Sequence, residues 1–124
     1  MVRVLLAEDD ESMRVYLQRA LEKTGYSVTT VDRGTEALVV LEHESYDLLL
    51  TDIVMPELDG IELAQRVASM YPAMRVMFIT GFAAVALQSA AMPREAKVLS
   101  KPFHLRDLVN EVDRMFQVGS AADL

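Results

Sequence analysis

The sequence predicts an α/β fold, a single doubly wound sheet of five parallel strands with helices on both faces. Two observations carry that expectation. Five short apolar or β-branched runs each give way to a helix-like segment, and the connections between them are only a few residues long. Val2–Ala7 is apolar but for Arg3, is closed by Glu8, Asp9 and Asp10, and is too short for a helix, so it reads as a buried strand. Burial on both faces implies a parallel sheet. Glu11–Thr24 carries Met13, Tyr16, Leu17, Ala20 and Leu21 at helical spacing, and Gly25 stops it. Ser27–Val31 is a β-branched second strand. Arg33–Glu42 is a helix with Ala37, Leu38 and Leu41 inward, and Tyr46–Thr51 is a Leu-rich third strand. Asp59, followed three residues later by Glu62, has the form of a capping box and opens a helix through Met70. Arg75–Ile79 is the fourth strand, Phe82–Ala91 an Ala-rich helix and Ala96–Leu99 the fifth strand. His104–Gln117 is a helix with Leu105, Leu108, Val109, Val112 and Phe116 inward. Residues 1–118 form one domain in this scheme, and 119–124 a flexible tail.

Composition narrows the function. A length of 124 residues fits one domain and leaves no room for a separate output module. Nineteen acidic against twelve basic residues give a net charge of −7, which argues against direct nucleic-acid binding, because that needs clustered Lys and Arg. The absence of Cys excludes a disulfide scaffold, a thiolate metal site and a thiol nucleophile. No apolar run approaches the roughly 18 residues of a membrane span, and no signal-peptide cleavage region follows the first run, so no membrane insertion and a cytoplasmic location are expected.

In such sheets ligands bind beyond the carboxyl ends of the strands. The residues there are Glu8, Asp9 and Asp10 after the first strand, Asp52 after the third, Thr80 after the fourth and Lys101 after the fifth. Strand-end acids alone often serve only to solvate a loop. Gathered in one crevice, however, they would repel by roughly 4 kcal/mol per close pair at an effective dielectric of 20, which calls for a cation. Oxygen-only ligands with room for water suit Mg²⁺ better than a dedicated Ca²⁺ cage, and Lys101 adds a fixed positive charge. A carboxylate beside Mg²⁺ and Lys, with a hydroxyl nearby and no His base, is equipped to accept a phosphoryl group more than to hydrolyse one.

LLAEDD, LLLTDIVMPELDG, MFITG and LSKPF together make the chain resemble the receiver domain of two-component response regulators over about Val2–Gln117. The resemblance implies a flavodoxin-like sheet of strand order 2-1-3-4-5. It implies Asp52 as phosphoacceptor, Glu8 and Asp9 as the acidic pair on Mg²⁺, and Val54 as a backbone-carbonyl ligand; Asp10 is then the outer, dispensable acid. Thr80 matches the switch hydroxyl, and Lys101 the lysine that precedes a cis bond to Pro102. MFITGFAAVAL with LSKPFHLRDLVNEV narrows the likeness to stand-alone regulators of the cell cycle. That implies a histidine phosphotransferase or histidine kinase as phosphodonor and an output through the ClpXP protease, with the unphosphorylated form as active adaptor.

One departure stands out. Three residues before the lysine, receivers commonly carry a Tyr or Phe that follows the phosphorylation state, and here that place is Val98. Phe82, two residues after Thr80, is the aromatic nearest in sequence to take its part, against the plainer role of a packed or exposed helix start. The run Phe82–Leu87 is apolar throughout, so Val85 is expected on an exposed partner-binding patch, the alternative being a mostly buried helix of small residues. Arg14 either lines a partner groove or is simply solvated, the eight Met are gap fillers, and His43 and His104 lack metal-ligand spacing. Among other functions, a Mg²⁺-dependent aspartyl-phosphate phosphatase needs a second Asp where Val54 stands, and a flavin or nucleotide binder needs an anion loop where the acids stand. A scaffold that has lost phosphoacceptance fits poorly with the complete set Asp9, Asp52, Thr80 and Lys101.

Overall fold

Residues 1–80, 97–100 and 104–116 are described by the structure, a computed structural model. They form β1 (Arg3–Ala7), α1 (Glu11–Lys23), β2 (Ser27–Val31), α2 (Gly34–His43), β3 (Leu48–Asp52), α3 (Gly60–Met70), β4 (Arg75–Thr80), β5 (Lys97–Ser100) and α4 (Leu105–Phe116). The helix expected from Phe82 and the tail expected at 119–124 lie outside the described residues. All strand pairs are parallel and the order is β2-β1-β3-β4-β5, the doubly wound arrangement that the sequence implied. The strand bounds differ from expectation by one or two residues, and the difference matters twice: Asp52 and Thr80 are the last residues of β3 and β4, not the first beyond them.

The core divides into two layers because successive strand side chains point to opposite faces. Leu5, Leu49 and Phe78 pack with Ala37 and Leu41 of α2 and Leu63, Ala64 and Val67 of α3. Leu6, Leu50, Met77 and Ile79 pack with Leu17 and Leu21 of α1 and Leu108, Val112 and Met115 of α4. With both faces covered, β1 after Arg3 and β3 before Thr51 hold apolar residues at every position. Burying each such Leu contributes about 1.5–3 kcal/mol, which fixes the strand ends in space.

Helix starts follow the capping rules. Asp10 and Asp59 are the N-caps of α1 and α3, accepting hydrogen bonds from the backbone N–H of Met13 at 2.9 Å and of Glu62 at 2.8 Å. His104 supplies the carbonyl that receives the N–H of Leu108 as α4 begins. Gly25 ends α1 with φ 102°, the left-handed conformation that glycine adopts without strain. One expectation fails: Tyr16, read as inward, is 54% exposed. The stripe of α1 that meets the sheet is narrower than the spacing suggested and is filled by Leu17, Ala20 and Leu21.

α4 is tied to the other edge of its layer by Tyr26, just before β2, whose O–H donates to the Asp113 carboxylate. Burial first, then that hydrogen bond and the charge of Asp113, push the Tyr26 pKa up to about 12. An acid whose pKa is raised by folding holds its proton more tightly in the folded state. Its contribution is therefore whole below pH 10 and is lost as the pH climbs to about 12. Tyr26→Phe is expected to lower stability at neutral pH by about 1 kcal/mol, read by urea denaturation. The variant's further loss of stability between pH 10 and about 12 should be shallower than that of the parent chain.

Candidate functional site

The pairing of β1 with β3 builds the site. Their register sets Ala7 opposite Thr51, so the next residues along the two strands, Glu8 just past β1 and Asp52 at the end of β3, stand side by side. This is also where the strand order reverses, because β2 lies on one side of β1 and β3 on the other. Glu8 is 2% exposed, which is unusual for a carboxylate. Its backbone N–H donates to the carbonyl of Val31 at 3.1 Å, and its Oε2 accepts from the N–H of Asp10 at 3.2 Å. Asp52 is half-buried, and its Oδ1 accepts from the N–H of Ile53 at 2.7 Å, which orients the carboxylate on its own strand end. One carboxylate oxygen each from Glu8, Asp9 and Asp52 lie within 4.8 Å of one another. Asp10, the fourth acid of the sequence reading, is not part of this cluster; its side chain caps α1 instead.

The donor set decides which ion suits the cluster. Three carboxylates without nitrogen or sulfur match a hard divalent cation, and the exposed flank of Asp9 leaves access for water, so these residues fit Mg²⁺. Val54 lies in the adjoining loop with its side chain 57% exposed. Thr80 ends β4 one residue beyond Ile79, the register partner of Asp52, though its side chain is outside the described set. Lys101, Pro102, Phe82 and Val85 also lie outside the described residues. Val98 pairs with Phe78 across β4 and β5 and packs, partly buried, against the α2–α3 side of the core.

The loop that follows Asp52 is held at several points. Ile53, Met55 and Leu58 are buried among the α2 and α3 side chains. The N–H of Gly60 donates to the carbonyl of Ile53 at 2.7 Å, and a Cβ on Gly60 would fall 1.9 Å from the carbonyl oxygen of Asp52. Gly34, at the start of α2, approaches the same loop so closely that a Cβ there would lie 2.8 Å from the carbonyl of Leu58.

The sequence offered nothing notable after the second strand, yet a polar network stands there. Arg14 of α1 donates to the carbonyl of Glu8 at 2.9 Å, so it is not merely solvated. Asp32 and Arg33 pair at 3.0 Å, Arg33 reaches Glu57 at 3.6 Å, and the Thr35 hydroxyl donates to Glu57 at 3.1 Å. The hydrogen bond from Arg33 holds the Asp32 carboxyl below its usual range, and Asp32 in turn raises Arg33. Arg14, Thr30, Val31, Asp32, Arg33 and Glu36 line an open polar cavity of about 610 Å³ beside the acids. The adjacent opposite charges Asp32 and Arg33 before Gly34 were the available signal in the chain.

A two-sided parallel sheet with an acidic cluster at its switch point defines a receiver. The chain belongs to the response regulator receiver domain family, which matches residues 4–113. It is 62% identical over 116 residues to the response regulator receiver protein CpdR of Brucella abortus, across 93% of this chain and 97% of that one. It is also 36% identical to the sensor kinase CckA of the same organism, over 92% of this chain but 12% of the kinase. Among solved structures, the response regulator TrrA of Thermotoga maritima in complex with Mg²⁺–BeF superimposes with a TM-score of 0.83 at 26% identity, over 94% of this chain and all of that one. Among the described residues no helix is long and apolar enough to cross a membrane.

Like charges at this spacing oppose folding when no cation is present. Asp9→Asn removes one of them from an exposed position. In EDTA it is expected to raise stability by about 1 kcal/mol in urea denaturation at pH 7, and with Mg²⁺ added that advantage should shrink.

Proposed function

We propose that the chain is a phosphorylation-dependent signalling switch in which Asp52 accepts a phosphoryl group from phosphohistidine. The convergence of Glu8, Asp9 and Asp52 oxygens within 4.8 Å at the switch point carries this reading. Glu8 and Asp9, with Asp52 and the backbone carbonyl of Val54, are assigned to Mg²⁺. Bound there, the ion neutralises the crowded carboxylates and the charge on the incoming phosphoryl oxygens. An Asp52 carboxylate oxygen attacks phosphorus, the P–N bond to the donor imidazole breaks, and the acyl phosphate P–O bond forms as the imidazole recovers a proton. Thr80 is assigned a hydrogen bond to a phosphoryl oxygen, and Lys101 a charge pairing with it.

Phosphorylation replaces one negative charge with close to two and biases the chain between two conformations. Histidine phosphotransferases and histidine kinases are the donors that this chemistry takes, and the likeness to CpdR and to CckA supports a place in one phosphorelay. The resemblance to cell-cycle regulators extends the proposal to the cytoplasm and to an adaptor that serves ClpXP when unphosphorylated. Residues 1–118 form the receiver unit in this proposal, and Phe82 and Val85 the surface that partners read. The aspartyl-phosphate phosphatase alternative lacks its proton donor, because Val54 occupies that position.

Incubation with acetyl phosphate and Mg²⁺ should raise the intact mass by one phosphoryl group, and Asp52→Ala or EDTA should abolish the gain. A gain retained in Asp52→Ala would place the chemistry elsewhere.

A further inference from the structure

Glu57 is a non-glycine residue at φ 68°, in the left-handed region. No other non-glycine described residue has positive φ, and Glu lacks the short polar side chain that eases Asn or Asp into it. Such a conformation persists only where its surroundings hold it. Here the holders are the hydrogen bond from the Leu58 N–H to the Pro56 carbonyl at 2.8 Å, which closes a tight turn about Glu57, and two contacts from the start of α2: the Thr35 hydroxyl at 3.1 Å and, just before the helix, Arg33 at 3.6 Å, itself anchored to Asp32. Glu57 sits three residues after Val54, in the loop whose other fixed points are the carbonyls of Asp52 and Ile53 against Gly60. The buried residues Ile53, Met55 and Leu58 fix the inward side of that loop, while its outward turn at Pro56 and Glu57 is exposed and is defined by the Leu58–Pro56 backbone bond together with the contacts from the start of α2.

Resting on the ion site proposed above, we infer that Thr35 and Glu57 form a latch between α2 and the loop after Asp52, and that both are positioning residues for the Val54 carbonyl. The latch acts on divalent-ion affinity more than on folding. Its hydrogen bond and ion pair are exposed, and contacts of that kind shift an equilibrium by about fivefold at most, so the expected effect is small and measurable. Leftward strain at residue 57 offsets part of their stabilisation. Loop geometry and global stability therefore separate on substitution: glycine at 57 relieves the strain and removes the latch together.

The experiment is a Mg²⁺ titration of the full chain, followed by amide NMR shifts of residues 53–59, with thermal unfolding in EDTA recorded in parallel. Thr35→Val exchanges the hydroxyl for a methyl group of similar size and leaves the charge unchanged. It should weaken Mg²⁺ binding about threefold, and Thr35→Ser should restore it. Glu57→Gly should weaken binding to a similar or greater degree while unfolding at a temperature no lower than the parent's. Parent-like affinity in Thr35→Val, with the parent binding Mg²⁺, overturns the latch and leaves the proposed function standing. A parent chain that shows no Mg²⁺-dependent shifts at millimolar concentration overturns the ion site and the latch with it.

Discussion

Crowding of negative charge at the ends of β1 and β3 is the constraint around which the rest of the molecule is arranged. Three carboxylates share a space less than 5 Å across, and one of them, Glu8, is almost wholly shielded from water. Such a grouping costs several kcal/mol wherever solvent cannot screen it. A flexible loop would relax it by letting the acids drift apart. This scaffold prevents that: Glu8 and Asp52 emerge from adjacent strands whose preceding residues are buried on both faces, so separating them would expose the core. Hydrophobic packing thus holds an electrostatically unfavourable geometry in readiness for a cation.

Around the acids, short polar contacts divide the work of orientation. Asp10 caps α1, Arg14 holds the carbonyl of Glu8, and the N–H of Ile53 turns the carboxylate of Asp52. None of these is strong alone; a neutral hydrogen bond contributes about 1 kcal/mol net. Together they limit the freedom of the clustered groups. That division agrees with a receiver, where most of the catalytic effect comes from placement and charge neutralisation.

Much of this was legible in the chain because the site is written in strand ends. Two-sided burial gave continuous apolar runs, acids closed the first and third of them, and parallel pairing followed from the lengths of the connections. What stayed hidden depends on contacts distant in sequence. Tyr16 has helical spacing like that of its buried neighbours, yet the stripe of α1 buried in the fold is Leu17, Ala20 and Leu21 and Tyr16 lies outside it. Asp10 is already set apart from Glu8 and Asp9 as the outer acid, but its use as the helix cap follows from where α1 starts. The backbone of Glu57 has no signature of its own residue type; it is imposed by a loop closed at Gly60 and leaned on by α2. The network of Asp32, Arg33, Thr35 and Glu57 joins segments more than twenty residues apart, beyond the reach of any local pattern.

The contact between Gly60 and the carbonyl of Asp52 has a mechanical consequence. With no room for even a methyl group between them, the end of β3 and the first turn of α3 abut like the two arms of a rigid bracket. Any tilt of the peptide at Asp52 must carry the N-terminal end of α3 along, so that helix, more than the exposed loop spanning the gap, is the natural pointer for a shift of that strand end.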